Sequence, residues 1–226
     1  METAGKVVAI ELDKRMLTIL NDRFSMYNNF KVVNNDVLKV DLNKLILEEK
    51  VEPIKHVKIV ANLPYYITTP IIMKLLEEKL DIETITVMVQ KEVADRLTEA
   101  PGEGETGAIT YAINYYTNPR KILQVPNTSF IPAPEVNSTV IMLEVLKEPR
   151  VQVENEELFF KVIKQAFMQK RKTLLNSLSN SNLLSNKQEV EQMLLDLEID
   201  TKIRPEKLTI EEFARISNYI YKKEGK

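Results

Sequence analysis

The chain has 226 residues, with 31 Lys plus Arg against 33 Asp plus Glu, 44% hydrophobic residues, no Cys and no Trp. This size and apolar content indicate a globular protein with one large core or two modest ones, and the lack of cysteine excludes disulfide scaffolds, thiol enzymes and Cys-based zinc sites. No apolar run approaches the ~18 residues that suggest a membrane span, and no signal peptide is recognisable at the N-terminus, which predicts a cytoplasmic protein.

Short β-branched runs alternate with segments of helical periodicity in the first part of the chain. This alternation predicts βαβ units and a mostly parallel sheet. The predicted strands are residues 6–11, 31–33, 57–61 and 84–90, and the predicted helices are residues 13–23, 42–49, 70–79 and 91–99. Asp13 is placed to cap the first helix.

The pattern changes in the second part of the chain. Residues 120–125 and 138–145 predict two strands joined by a Pro-rich turn, so the sheet is expected to end in an antiparallel hairpin. Beyond Pro149 only helical periodicity is found, at residues 156–178, 188–197 and 210–221. The chain is therefore predicted to contain an α/β domain, residues 1–148, and a small all-helical domain, residues 149–226.

The helical part contains a segment of one charge sign. Between Leu158 and Gln188 no residue is acidic and six are basic, namely Lys161, Lys164, Lys170, Arg171, Lys172 and Lys187. On a continuous helix with ~100° per residue, four of them (Lys161, Lys164, Arg171 and Lys172) fall within an arc of about 100°, and the apolar Phe159, Val162, Ile163, Ala166 and Phe167 share another face. A solvated helix face usually mixes both signs, so this pattern predicts contact with a nucleic acid.

The tetrapeptide Asn62-Leu63-Pro64-Tyr65 directly follows a predicted strand. Open α/β sheets bind ligands beyond the carboxyl ends of their parallel strands. These residue types suit methylation of an exocyclic amine, because an Asn oxygen and a backbone carbonyl can hold the amine hydrogens while an aromatic ring stacks on the base. A strand-ending turn with a buried Tyr is the alternative interpretation of these four residues alone.

Other candidate residues give weaker signals. Glu11 and Asp36 follow the first two strands, where carboxylates can bind ribose hydroxyls and an adenine amino group, although turn and cap roles are commoner there. Residues 102–107 satisfy G-x-G-x-x-G, but they follow a helix and include two Glu, which predicts a mobile surface loop. His56, the only histidine, is expected to be solvated, and no cluster of metal ligands is found.

Several motifs together resemble those of the KsgA-type rRNA adenine N6,N6-dimethyltransferases. Residues 62–70, NLPYYITTP, look like one motif of that family, and Phe130-x-Pro132-x-Pro134-x-Val136-x-Ser138 is similar to its F-x-P-x-P-x-V-x-S motif. Residues 166–176 are similar to the A-F-x-x-R-R-K-T-L-x-N signature of its C-terminal domain, and the segment from Arg204-x-Glu206-x-Leu208 to Phe213 fits its last helices.

The resemblance implies a class I, Rossmann-like methyltransferase fold that uses S-adenosylmethionine, with a helical C-terminal domain that helps to hold rRNA. Carried over by position, Glu11 would bind the ribose of the cofactor. Asp36 and its neighbour Val37 would bind the adenine of the cofactor, and Asn62 would contact its methionine side. The target amine would be held by Asn62 and by the carbonyl of Leu63 beside Pro64, while Tyr65 and Phe130 would sandwich the flipped-out adenine. The RNA would be contacted by Lys161, Lys164, Lys170, Arg171 and Lys172.

The implied reaction is double methylation of two adjacent adenines in a small-subunit rRNA hairpin, by a protein expected to be monomeric and without metal. Glu135 and Asn137 depart from the Lys and Asp that are common in the family. Family members also carry, before the position of Gly5, a first strand with its Gly-rich cofactor loop and a motif that closes the pocket. We therefore expect either a longer native chain, or direct pairing of strands 6–11 and 57–61, which the missing strand would separate.

Two other functions stay open at this point. A non-catalytic rRNA-binding or subunit-assembly factor would keep the basic helical surface without holding the cofactor. The macrolide-resistance methyltransferases, which act on large-subunit rRNA, share the Asn-x-Pro-Tyr chemistry. Leu63, the continuation through residues 66–70 and the C-terminal signature argue against the latter group.

Overall fold

A computed structural model describes residues 2–50, 56–169, 171–181, 183–223 and 225. The chain divides into two compact units, Met1–Thr84 and Ile85–Lys226. Among the described residues, none of the helices combines the length and the apolar character of a membrane span. The change from sheet to helices near Pro149 lies inside the second unit. The division into an α/β domain and a helical domain at residue 148 stays a prediction.

The elements of the N-terminal unit match the predicted ones to within two residues at each end. They are β1 (Val7–Glu11), α1 (Lys14–Phe24), β2 (Phe30–Asn34), α2 (Leu42–Glu49), β3 (Lys58–Asn62) and α3 (Thr68–Glu77). Asp13 caps α1 as predicted, because its side chain accepts a hydrogen bond from the Arg15 N–H. Asp41 caps α2 in the same way.

Strands β1 and β2 form a parallel pair, from Val7 opposite Phe30 to Glu11 opposite Asn34. Strand β3 does not belong to this two-stranded sheet. Direct pairing of β1 with β3, one of the two expectations from the sequence, is therefore wrong. The parallel register brings the carboxyl ends of β1 and β2 to one edge.

The sheet of the C-terminal unit ends in the predicted antiparallel hairpin. Strands β4 (Thr84–Gln90), β5 (Thr117–Val125) and β6 (Ser138–Val145) lie in the order β4-β6-β5. Strands β5 and β6 pair from Thr117 opposite Val145 to Val125 opposite Ser138. Helix α4 (Lys91–Thr98) follows β4 as predicted.

Helix α5 (Ala108–Tyr116) was not predicted from the sequence. Every residue from Thr110 to Tyr115 is buried. The carboxyl end of this helix is capped by Arg150, whose guanidinium donates hydrogen bonds to the carbonyl oxygens of Asn114 (2.8 Å) and Thr117 (3.0 Å). Arg150 thereby satisfies carbonyl groups that a helix end leaves without an intrahelical partner.

The last part of the chain is helical, as predicted, but the single helix expected over residues 156–178 is wrong. Helix α6 (Glu156–Phe167) contains Lys161 and Lys164 but ends before Arg171 and Lys172, and α7 (Leu174–Ser179) begins after them with Thr173 as its cap. Helices α8 (Lys187–Asp196) and α9 (Ile210–Lys223) follow. Consequently Arg171 and Lys172 do not lie on the α6 face, and the shared arc computed for a continuous helix is wrong for them.

The core of the C-terminal unit joins α5 to these helices. On α6, Phe159, Val162, Ile163 and Ala166 are buried as the periodicity predicts, and they cluster with Tyr111 and Phe213. The rings of Tyr111 and Phe213 meet edge to face with centroids 4.8 Å apart, a favourable aromatic geometry. Burial of this cluster therefore holds α5 and the helices from α6 to α9 together in one unit.

The loop of residues 102–107 lies at the surface as predicted and has a contact at each end, while its mobility stays a prediction. Gly102 has φ +89°, and a Cβ at this position would lie 3.2 Å from the carbonyl oxygen of Leu208. The Thr106 hydroxyl donates a hydrogen bond of 3.1 Å to the carbonyl oxygen of Glu206. The exposed tip, residues 103–105, is thus held between two fixed points.

Candidate functional site

The Asn62-Leu63-Pro64-Tyr65 segment lies between β3 and α3, as the sequence predicts. Asn62 is the last residue of β3 and is exposed, and Tyr65 is 39% exposed. Within the described part of the chain, the side chain of Asn62 makes no hydrogen bond. Its amide oxygen is therefore available to a ligand, which argues against the interpretation of the segment as a plain turn with a buried Tyr.

This turn is fixed to the helix that follows it. The carbonyl oxygen of Pro64 accepts hydrogen bonds from the Ile67 N–H and from the Thr68 hydroxyl, both at 3.1 Å. Thr68 is 2% exposed, so its hydroxyl is shielded from competing water. Sequence reasoning did not assign a role to Thr68, although a hydroxyl residue at the start of a helix is a recognisable local signal.

Glu11 and Asp36 lie at the carboxyl ends of the adjacent parallel strands β1 and β2. One carboxylate oxygen of Glu11 accepts the Asp13 N–H at 2.7 Å, and one of Asp36 accepts the Leu38 N–H at 3.0 Å. These bonds fix each side chain. The second oxygen of each carboxylate has no partner among the described residues, so both can accept a hydrogen bond from a ligand.

The ends of the two strands are tied together by Asn34, which sequence reasoning missed. Its side-chain amide donates to the carbonyl oxygens of Glu11 (2.8 Å) and Leu12 (3.2 Å). Asp13, which follows Leu12, has the expected role of capping α1. Its hydrogen bonds with Arg15 lower the pKa of the Asp13 carboxyl group to about 2.

Phe130 lies in the connection between β5 and β6, directly after a short 3-10 helix, Asn127–Ser129. It is half-buried, and its N–H donates a hydrogen bond of 3.2 Å to the carbonyl oxygen of Asn127. Phe130 belongs to the C-terminal unit and Tyr65 to the N-terminal unit. Their predicted sandwich of one base therefore stays a prediction.

The predicted RNA-binding residues that the structure describes are Lys161, Lys164, Arg171 and Lys172, and all four are exposed. Lys170 lies outside the described residues. No ion pair joins any of the four to a described acidic residue, whereas Lys31 is paired with Glu49. An exposed set of unpaired cations is well suited to bind phosphate groups.

His56 is exposed, as predicted, and its ring contacts the Glu83 carboxylate. Across the described ranges, no group of three or more His, Cys, Asp or Glu side chains could hold a metal ion.

The chain matches the family described as "Ribosomal RNA adenine dimethylase" over residues 1–222. It is 50% identical over 222 residues to "Ribosomal RNA small subunit methyltransferase A" of Alkaliphilus oremlandii, covering 98% of this chain and 77% of that protein. The protein of the same name from Clostridioides difficile is 49% identical over 217 residues, covering 96% of this chain and 74% of the relative.

Two solved structures share the fold. A dimethyladenosine transferase from Plasmodium falciparum has a TM-score of 0.78 and 24% identity, covering 97% of this chain and 83% of that one. The 23S rRNA methyltransferase ErmE has a TM-score of 0.69 and 23% identity, covering 97% and 84%. The fold is thus the predicted Rossmann-like methyltransferase fold with a helical C-terminal part. Given a family match across residues 1–222 and relatives of about half-identical sequence, the chain belongs to the ribosomal RNA adenine dimethylase family.

Proposed function

We propose that the protein is an S-adenosylmethionine-dependent methyltransferase that dimethylates two adjacent adenines of small-subunit rRNA. The observation that carries this proposal is the exposed turn from Asn62 to Tyr65 at the carboxyl end of β3, which presents an Asn amide without a described partner. The relatives named small subunit methyltransferase A support the choice of the small subunit over the large one.

The chemistry of the turn follows from the electronic structure of the target. The lone pair of an adenine N6 amine is delocalised into the ring, so the amine is a weak nucleophile. The Asn62 side-chain oxygen and the Leu63 carbonyl would accept its two hydrogens, which takes the lone pair out of conjugation with the ring and directs it toward the methyl group. Pro64 keeps the backbone of this acceptor pair rigid. After transfer the nitrogen is positively charged and acidic, so it can release a proton to solvent without a general base.

The residues at the ends of β1 and β2 fit the proposed cofactor. S-adenosylmethionine supplies an electrophilic methyl group when bound. Glu11 offers a carboxylate oxygen to ribose hydroxyls, and Asp36 offers one to the adenine amino group. Val37 adds a backbone N–H beside Asp36. The hydrogen bonds that fix both carboxylates reduce the entropy lost on binding.

The remaining predicted residues would hold the RNA. Tyr65 and Phe130 are proposed to stack on the base, since aromatic rings bind unstacked bases at roughly 1–3 kcal/mol each. Lys161, Lys164 and Arg171 would contact phosphate groups, together with Lys170 and Lys172. We also propose that the protein acts as a monomer and without a metal ion.

The experiment that tests this function measures transfer of a labelled methyl group to unmethylated small ribosomal subunits. We expect two methyl groups on each of two adenines with the wild-type protein and none with Asn62→Ala. Asn21→Ala, an exposed change on α1, is the matched control and should be fully active. A normal rate for Asn62→Ala would contradict the assigned role.

Two further measurements separate the alternatives. Calorimetry with S-adenosylmethionine should give a binding heat, whereas no heat together with intact subunit binding would support an assembly factor without catalysis. Parallel assays with isolated large subunits should give no methylation. Preferential methylation of the large subunit would instead support the macrolide-resistance type of activity.

A further inference from the structure

Two asparagines face each other across the loop that carries Phe130. The loop, residues 126–137, begins after the last β5–β6 pair, Val125 opposite Ser138. The side-chain oxygen of Asn137 accepts the Asn127 N–H at 2.9 Å, and the side-chain amide of Asn127 donates to the carbonyl oxygen of Pro134 at 3.1 Å. These two bonds close the loop near its base. We call Asn127 and Asn137 together the loop clasp.

The loop clasp is connected both to the sheet and to Phe130. The carbonyl oxygen of Asn137 accepts the Lys91 N–H at 3.0 Å, at the start of α4. The carbonyl oxygen of Asn127 accepts the Phe130 N–H at 3.2 Å. The backbone of Phe130 is thus tied to Asn127, and Asn137 is tied to the first residue of α4, which directly follows β4.

We propose that Asn127 and Asn137 are positioning residues that hold the Phe130 ring for contact with the target base. This inference rests on the proposed function, in which Phe130 stacks on that base. Neither asparagine needs to touch the RNA. Their contribution is to restrict the loop backbone before the substrate arrives, so that less conformational entropy is lost in the reactive complex.

The clasp requires a side-chain oxygen at position 137, because that oxygen accepts the Asn127 N–H. Asn137→Asp keeps such an oxygen, and its charge lies near the start of α4, where a negative charge is favourable. Asn137→Leu has a similar size but lacks the acceptor. The two substitutions therefore compare a side chain that can accept the Asn127 N–H with one of similar size that cannot.

A first test does not depend on enzymatic activity. The chain contains no Trp, so Phe130→Trp introduces a single Trp in the loop, whose fluorescence can be excited selectively over that of the tyrosines. We expect Asn137→Leu in this background to lower the fluorescence anisotropy and to increase quenching by acrylamide, and Asn137→Asp to change neither. Equal anisotropy and quenching in all three proteins would overturn the clasp. Because the bonds lie near the surface, the melting temperature should fall by no more than about 3 °C.

A second test measures kcat and KM for small subunits. We expect Asn137→Leu to lower kcat about tenfold, as a misplaced binding group does, with little change in KM. Asn137→Asp should retain the wild-type kcat. In a Phe130→Ala background, Asn137→Leu should have no further effect, because the clasp acts through Phe130.

The two tests separate failure of the clasp from failure of the function. A tenfold loss that persists in the Phe130→Ala background would overturn the positioning role while leaving the proposed function intact. A wild-type protein without methyl transfer would overturn the proposed function, and the fluorescence comparison would still decide whether the clasp orders the loop.

Discussion

The Tyr111 hydroxyl lies 2.6 Å from the carbonyl oxygen of Leu208, to which it donates a hydrogen bond, and 3.1 Å from that of Pro205. Tyr111 is in the centre of α5, whereas Leu208 directly follows a short 3-10 helix, Pro205–Lys207. Both residues are completely buried. This bond therefore links the helix beside the hairpin to the C-terminal helices inside one core.

Tyr111→Phe should destabilise the C-terminal unit by about 1–3 kcal/mol, because the buried carbonyl of Leu208 loses its donor. Chemical denaturation measures this loss. Tyr219→Phe is the control, since its hydroxyl bonds to Asp196 at an exposed position and its removal should cost at most about 1 kcal/mol. Equal losses for the two variants would show that the Tyr111–Leu208 bond has no special importance.

Stability should also decrease in alkaline solution. Burial raises the pKa of Tyr111 to about 12, and burial with the nearby Glu156 carboxylate raises the pKa of Tyr115 to about 12. Both are ordinary tyrosines, with a pKa of about 10, when the chain is unfolded. The stabilisation is complete below pH ~10 and is lost as the pH rises toward ~12, because the unfolded chain releases these protons first.

Denaturation at several pH values between about 9 and 12 tests this dependence. Tyr111→Phe should show a shallower decrease than the wild-type protein, since Tyr111 would then no longer contribute. Ultraviolet titration of tyrosinate provides an independent readout. If all eight tyrosines of the folded protein titrated together near pH ~10, burial of these two hydroxyl groups would not have the expected effect.

Most strands and helices could be predicted because their apolar residues follow a period of two or 3.6, but α5 could not. Its sequence, AITYAINYY, is mostly apolar and aromatic, and six consecutive residues are buried. A short run of this kind cannot be assigned to a helix or a strand by periodicity alone. The opposite error occurred after Phe167, where the period continues by chance through a break that Thr173 marks as a helix cap.

The candidate site shows a similar division. Asn62, Glu11 and Asp36 could be placed at strand ends because the strands themselves were predictable. The Asn127–Asn137 pair could not, because its hydrogen bonds span a loop and leave no periodic trace in the sequence. Residues at the ends of predictable strands are thus easier to place from sequence than residues whose hydrogen bonds span loops.

The basic surface should contribute salt-dependent affinity for the small subunit. The double variant Lys161→Gln/Lys164→Gln removes two exposed cations from α6, and we expect several-fold weaker binding near 0.1–0.2 M salt. The slope of log affinity against log salt should decrease by about 1–2. Filter binding across a salt series gives both quantities.

The control for this surface is Lys44→Gln/Lys50→Gln, which removes two lysines paired with Glu48 and Asp81. These cations already have acidic neighbours, so their loss should leave the salt slope unchanged. A similar decrease in slope for both double variants would indicate that net charge, rather than the α6 surface, determines binding.

The turn that carries Asn62 should depend on the hydroxyl group of Thr68. Thr68→Val keeps the shape of the side chain but removes its hydrogen bond to the Pro64 carbonyl, whereas Thr68→Ser keeps the hydroxyl. We expect the Val variant to lose about 1 kcal/mol of stability. Because the neighbouring acceptors would be misplaced, its kcat should fall about tenfold. The Ser variant should stay within about twofold of the wild-type kcat. Equal rates for the two variants in the methyl-transfer assay would show that the Ile67 N–H alone is sufficient to hold the turn.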